Sequence, residues 1–289
     1  MSAVTLAAVQ FACSWDRAAN ITKAKAMVRK AASQGANVVL LPELFETPYF
    51  CQDQSAEHFT LARPFEGNPL IAEFAELAKE LSVVLPLSFF EQAHNAYFNS
   101  LAVIDADGAV LGRYRKSHIP AGPGYQEKFY FHPGDTGFRI WHTRAGHLGC
   151  AICWDQWFPE AARVLALKGA DALFYPTAIG SEPPPAPPVD SRDHWRRVMQ
   201  GHAAANYLPV VAANRIGVER GGAGEIRFYG SSFIAGPMGE ILAELGRDEE
   251  GVIAASFDFA VIAKARASWG LFRDRRPDLY GPLLTAGGE

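Results

Sequence analysis

The sequence predicts an α/β protein whose strands are buried. Residues 4–12 (VTLAAVQFA) and 38–41 (VVLL) are short apolar runs with a helically spaced segment between them. A second unit of the same kind follows at 148–175. The stretch GANVVLLPEL at 35–44 is echoed by GADALFYPTA at 169–178, which suggests two similar strand–helix–strand halves.

The elements follow in order. The first apolar run is short and partly β-branched, as a buried strand requires. Residues 18–33 carry apolar side chains at Ile21, Ala24, Met27, Val28 and Ala31, a helical spacing, and Gly35 ends that helix. The strand at 38–41 is closed by Pro42-Glu43. Residues 99–115 read as a hairpin turning at Asp107-Gly108. A strand at 148–152 leads to a helix over 158–168, with Pro159 in its first turn and Gly169 after it. A strand at 172–175 is closed by Pro176, and 232–244 reads as a further hairpin. The run PPPAPP at 183–188 fits neither helix nor central strand and is read as a stiff, extended loop. From Ala263 the chain turns basic and polar, with Arg273, Arg275 and Arg276. No internal domain boundary is evident. The expected division is one domain over 1–264 and a tail over 265–289 that packs on the domain or on a neighbouring subunit.

Bulk properties exclude several functions. The chain has 289 residues, 49% hydrophobic and 20% charged, enough for a sizeable core without staples. A formal charge of −4 offers no clustered basic face for nucleic acid or an anionic membrane. No apolar run approaches a membrane span. The start, MSAVTLAAVQFACSW, lacks the basic residues of a signal peptide. Four cysteines make no disulfide framework, so a reducing, cytoplasmic setting is expected.

Chemistry is expected at the strand ends, where open α/β sheets hold ligands. Glu43 follows one buried strand, Cys153 another, and Lys116 ends the hairpin strand through Val110, Leu111 and Tyr114. Taken singly, a cysteine in an apolar strand is usually packing and a lysine on an edge strand is usually solvated. An unpaired carboxylate at a buried end is costly, so Glu43 weighs evenly between structure and function. Together the three supply a nucleophile, a base and an electrophilic stabiliser. Cys150 and Cys153 form one C-x-x-C with no second pair, and on a strand their side chains face opposite ways, which speaks against a metal site. The serine-hydrolase elbow, the P-loop and the dinucleotide fingerprint are missing. No cofactor or metal is expected.

The stretches LLPELF around Glu43, YRKSHIP around Lys116 and GCAICWDQWFPEAARVLALKGADAL around Cys153 resemble the three motifs of the nitrilase superfamily of carbon–nitrogen hydrolases, in order and separation. The resemblance runs from about Val4 to about Lys264. It implies a four-layer α-β-β-α sandwich that assembles into homo-oligomers, and a catalytic set of Glu43, Lys116 and Cys153. In GPGYQEKFYFHPGD it implies Glu127 as a supporting glutamate that orients Lys116 and the substrate amide.

A narrower likeness, in PELFETPYFCQDQ, AGPGYQEKFYFHPGDTGF and DSRDHWRRVMQGHA, is to the branch that hydrolyses a terminal ureido group carried on an amine. A cationic substrate end calls for a carboxylate. Glu182 is the candidate, with Asp190 and Asp193 as alternatives. Tyr49, Tyr125 and Trp154 are the candidates for lining the substrate's methylene chain, with ordinary core packing as the alternative for each. Relatives that take N-carbamoyl amino acids carry arginines just after the nucleophile, where this chain has Gln156 and Trp157. Arg192, Arg196 and Arg197 either read an anion or lie along a helix face, and the helix face is favoured. The alternatives are an amidase or carbamoylase for an anionic or neutral substrate, such as β-ureidopropionate or an N-carbamoyl amino acid, and a non-catalytic binding or assembly subunit.

Overall fold

Strand β1 (Val4–Gln10) buries side chains on both faces, and that sets the architecture. Leu6 and Ala8 enter one apolar cluster and Ala7 and Val9 another, as the two-residue period of a strand requires. Such a strand needs cover on both sides. The computed structural model, which describes residues 3–183, 189–222 and 224–289, provides that cover.

On one side lie two helices. Helix α1 (Arg17–Ser33) leads into β2 (Val38–Leu40), which pairs parallel with β1. Helix α2 (Pro69–Leu81) adds Leu70, Ile71, Phe74 and Leu77 to the cluster that holds Ala7, Val9, Ala24 and Val28. Asp16 caps α1 and Asn68 caps α2, each side chain accepting from main-chain N–H groups of the first turn. Residues 69–93, which the sequence reading leaves unassigned, form α2 and β3 (Leu85–Ala93).

Strand β3 pairs antiparallel with β4 (Ala96–Ile104), and β4 with β5 (Val110–Arg115). The turn falls at Asp107-Gly108 as expected. Gly108 has φ +86°, and a Cβ there would meet the main-chain oxygen of Ala75 at 2.9 Å. A parallel bridge between Val38 and Val84 joins this meander to β2.

After the short helix α3 (Glu127–Tyr130) the chain builds a second sheet. Strands β6 (Ile140–Thr143) and β7 (Gly146–Cys150) are antiparallel. Helix α4 (Pro159–Leu167) then returns the chain to β8 (Ala172–Pro176), parallel to β7, and α5 (Arg192–Asn206) returns it to β9 (Val210–Ala213), parallel to β8. The hairpin β10 (Ile216–Gly221) and β11 (Gly224–Tyr229) stands apart, while β12 (Phe233–Ala235) and β13 (Ile241–Glu244) complete the sheet beside β9. Strand β14 (Gly251–Phe257) crosses back to pair antiparallel with β1.

The two sheets meet through Leu6, Ala8, Val38 and Leu40 of one and Phe174 and Val211 of the other. Ala162 and Leu165 of α4 and Trp195 and Met199 of α5 join the same cluster. The result is the expected four-layer α-β-β-α sandwich. The echoing segments each end a strand–helix–strand unit, β1-α1-β2 in one sheet and β7-α4-β8 in the other.

Helix α6 (Phe259–Trp269) runs through Lys264, where the expected domain ends, and stops at Gly270 with φ +82°. Phe272 then packs on the core cluster, with the guanidinium groups of Arg163 and Arg266 over its ring. Most of the proline-rich stretch, 184–188, lies outside the described residues. Among the described residues, no helix is long and apolar enough to cross a membrane.

Candidate active site

Glu43 stands three residues beyond the end of β2, after Leu41-Pro42, and is fully buried. Its Oε1 accepts from Lys116 Nζ at 2.8 Å and from Asn99 Nδ2 at 2.6 Å, while its Oε2 has no partner. Lys116 directly follows β5 and is equally buried. Its ammonium also donates to Glu127 Oε2 at 2.7 Å, and Glu127 Oε1 accepts from the Tyr49 hydroxyl at 2.6 Å. One lysine is therefore held between two carboxylates in the interior. Such a charge persists only when it is paired in this way.

Cys153 begins a short 3-10 turn (Cys153–Trp157) after β7. Its φ is +40°, a left-handed backbone that a residue with a Cβ adopts only under constraint from its surroundings, at a cost of about 1–3 kcal/mol. Leu44, beside Glu43, has the same geometry at φ +49°. Strain at both positions marks segments whose shape is imposed by the fold. The Cys153 thiol lies 3.9 Å from the main-chain oxygen of Ala178. The second echo segment thus ends at the nucleophile candidate, while Thr177 O accepts from the Glu43 N–H at 3.4 Å.

The electrostatics follow from burial. Burial pushes the Cys153 thiol well above its usual range; Glu43 adds to this, Lys116 opposes it and Glu127 adds again, so the resting group is a thiol. For Lys116, burial disfavours the charge, but Glu127, Glu43 and Cys153 outweigh it and hold the ammonium protonated well above the ordinary lysine range. Burial raises the Glu127 carboxyl, Lys116 pulls it back and Glu43 adds to the rise. A protonated amine and a neutral thiol call for a separate base to release the nucleophile.

A cavity of about 330 Å³ opens on Cys153. Glu127, Tyr125, Trp154, Gln156 and Glu182 line it. Tyr125 braces the wall, its hydroxyl accepting from the Gly180 N–H at 3.0 Å and donating to Ser181 O at 3.3 Å. Glu182 is half-buried, and burial raises its carboxyl. No arginine or lysine lines the cavity among the described residues.

Glu43, Lys116 and Glu127 form one buried cluster next to Cys153, and Tyr125, Trp154 and Glu182 line the cavity that Glu127 and Cys153 reach. Tyr49 is a correction: it is buried behind Glu127, because its hydroxyl is the donor that Glu127 Oε1 requires. Asp190 and Asp193 point elsewhere, paired with Arg247 at 2.6 Å and Arg192 at 2.9 Å. The helix-face reading of the arginines agrees with Arg196, which pairs with Glu244 on β13 at 2.7 Å. Among the described residues, no group of three His, Cys, Asp or Glu side chains is placed to hold a metal ion.

Three supporting residues escape the sequence reading. Asn99 lies mid-strand and carries no motif. Arg215, fully buried after β9, could have been flagged only by asking what pairs a buried arginine. Asp155 sits in the quoted Cys153-Trp154-Asp155 run, but nothing in the sequence names its partners.

The sandwich encloses a buried Glu–Lys–Cys cluster, and the family to which the chain is matched makes it a hydrolase of non-peptide carbon–nitrogen bonds. The chain belongs to the carbon–nitrogen hydrolase family of the nitrilase superfamily, whose family model matches residues 5–267. It is 60% identical to an N-carbamoylputrescine amidase of Solanum tuberosum, over 99% of this chain and 96% of that protein. It is 50% identical to a citrullinase of Francisella tularensis, over 98% of this chain and 99% of that one. Among solved structures, a carbon-nitrogen hydrolase from Helicobacter pylori G27 superposes with a TM-score of 0.91 at 40% identity, covering 99% of both chains.

Proposed function

We propose that this chain hydrolyses the terminal ureido group of N-carbamoylputrescine to putrescine, carbon dioxide and ammonia. The observation that carries the substrate reading is the cavity. Among the described residues, its one further carboxylate besides Glu127 is Glu182, and no arginine or lysine lines it. A ureido compound ending in an ammonium fits that wall, and a carboxylate-ended one would meet an unpaired anion. The likeness to N-carbamoylputrescine amidases supports the same substrate.

The mechanism uses groups already in position. Glu43 Oε2, the oxygen without a partner, takes the proton of the Cys153 thiol. The thiolate attacks the ureido carbon. Lys116 and a main-chain N–H at the start of the 3-10 turn hold the oxyanion. Glu43 returns its proton to the leaving nitrogen and ammonia departs, leaving a carbamoyl-thioester on Cys153. Glu43 then takes a proton from water as the water attacks the thioester. The thiol is released with that proton, and the carbamate breaks down to amine and carbon dioxide. Glu127 keeps Lys116 aimed. No cofactor enters.

The reading extends to a cytoplasmic homo-oligomer that forms putrescine for polyamine synthesis. Exposed apolar side chains on α6 and the tail, Val261, Trp269, Leu283 and Leu284, are the surface that assembly would cover.

The test is ammonia release from N-carbamoylputrescine, beside β-ureidopropionate and citrulline, with Cys153→Ala as control. Release from the first substrate, lost in the variant, is expected. A variant that kept its activity would remove the nucleophile assignment and favour a binding or assembly role. A preference for β-ureidopropionate would remove Glu182 as the ammonium partner.

A further inference from the structure

We propose that Asp155 is a positioning residue that fastens the segment carrying Lys116 to the turn carrying Cys153. The inference rests on the reading of those two residues as the oxyanion donor and the nucleophile.

Asp155 is completely buried, and its carboxylate accepts four hydrogen bonds. Oδ2 accepts from the Tyr114 hydroxyl at 2.7 Å and from the main-chain N–H of Ile152 at 2.9 Å. Oδ1 accepts from the main-chain N–H of His118 at 3.0 Å and lies 2.7 Å from His118 Nδ1. Tyr114 and His118 flank Lys116, two residues away on either side. Ile152 immediately precedes Cys153, and Asp155 follows it by two. One carboxylate therefore grips the lysine segment on both sides of Lys116 and closes the backbone around Cys153.

That closure bears on the strained cysteine. The bond to Ile152 N–H, with the Asp155 N–H donating back to Ile152 O at 3.0 Å, locks the peptide units on either side of the left-handed residue. The lysine segment has no covalent reason to lie at a fixed distance from this turn, since 37 residues separate Lys116 from Cys153 along the chain. The sandwich brings the two segments near one another, and Asp155 sets their register. Asp155 touches none of the reacting atoms, so its effect is exerted through Lys116 and Cys153. His118 is itself wedged against Phe158, with ring centroids 3.6 Å apart, which keeps its side of the grip from turning away.

Asp155→Asn tests this with almost no change of volume. Whichever way the amide turns, its NH₂ faces a main-chain N–H, that of His118 or that of Ile152, so one of the two attachments must open. We expect kcat to fall about 100-fold with KM within about threefold, since misplacement near 1 Å costs that much in rate. Alkylation of Cys153 by iodoacetamide should slow about tenfold. A purely structural role would lower the melting temperature without this split between kcat and KM. A folded Asp155→Asn protein with kcat within about twofold of wild type overturns the proposal. If that variant does not fold, Tyr114→Phe decides. It keeps the ring and removes one of the four donors; kcat should fall about fivefold at unchanged KM, and an unaltered kcat overturns the proposal. If wild-type protein releases no ammonia from N-carbamoylputrescine, the substrate reading fails separately. Cys153 alkylation in wild type and both variants then still decides the role of Asp155, equal rates overturning it.

Discussion

The guanidinium of Arg215, fully buried, donates to the main-chain oxygen of Glu43 at 2.7 Å. It also donates to Leu44 O and Thr47 O, each at 3.1 Å, and to Glu219 Oε1 at 3.0 Å. Glu219 in turn accepts the Tyr49 N–H at 2.5 Å. The loop that presents Glu43 is thus held by its carbonyls to a single side chain in the connection between β9 and β10. Arg215→Lys keeps the charge but replaces a planar fork by a point donor that cannot reach all four oxygens. Lowered kcat with modest destabilisation is expected. Arg215→Met strands Glu219 in the interior and should cost about 3–5 kcal/mol of stability. Denaturant titration and steady-state kinetics read the two effects separately.

Glu43→Gln removes the base while keeping the size and the acceptor for Asn99 and Lys116. A fall in kcat of about 100-fold or more is expected. Burial raises the thiols of Cys153, Cys51 and Cys13 alike, but only Cys153 of the three lines the cavity and has Glu43 as its proposed base, so in wild-type protein near neutral pH iodoacetamide should modify it first. In the variant that preference should vanish. Full turnover with an unchanged pH profile would remove Glu43 from the mechanism.

Glu182→Lys reverses the carboxylate charge on the cavity wall away from Lys116. Loss of a charge-assisted contact worth about 1.5–3 kcal/mol should raise KM for N-carbamoylputrescine by roughly tenfold or more. A neutral amide of similar length should be turned over as before. Equal effects on both substrates would mean that Glu182 shapes the wall and does not read the ammonium.

His202 Nε2 lies 2.7 Å from the main-chain oxygen of Gln156, beside the nucleophile turn. Burial pushes this imidazole below its usual 6.5 and the contact to Gln156 pulls it partly back. The unfolded chain then takes up the proton more readily than the folded one. The stabilisation is complete above pH 6.5 and drains away as pH falls through the folded value. Wild-type protein should therefore lose melting temperature faster than His202→Gln between about pH 7 and 5. Parallel curves would place the acid sensitivity elsewhere.

Local rules made much of this legible in sequence. The apolar runs of β1, β2, β7 and β8, the helix stops at Gly35 and Gly169 and the turn at Asp107-Gly108 depend on neighbouring residues alone. Glu43 and Cys153 draw notice because each follows a buried strand, Lys116 because it ends a hairpin strand, and the motifs around them resemble those of the family. Helix α2 carries its start signal in Asn68-Pro69 and an apolar stripe, so it too follows from local rules.

The residues that tune the site were settled by the tertiary structure. Tyr49 reads like a pocket aromatic, yet it stands behind Glu127 because a buried carboxylate oxygen needs a donor. Asn99, Asp155 and Arg215 act through main-chain and carboxylate groups that lie 56, 37 and 172 residues away along the chain. A sequence specifies which side chains must find a partner; which partner each one finds depends on how two sheets stack, and no local pattern encodes that distance.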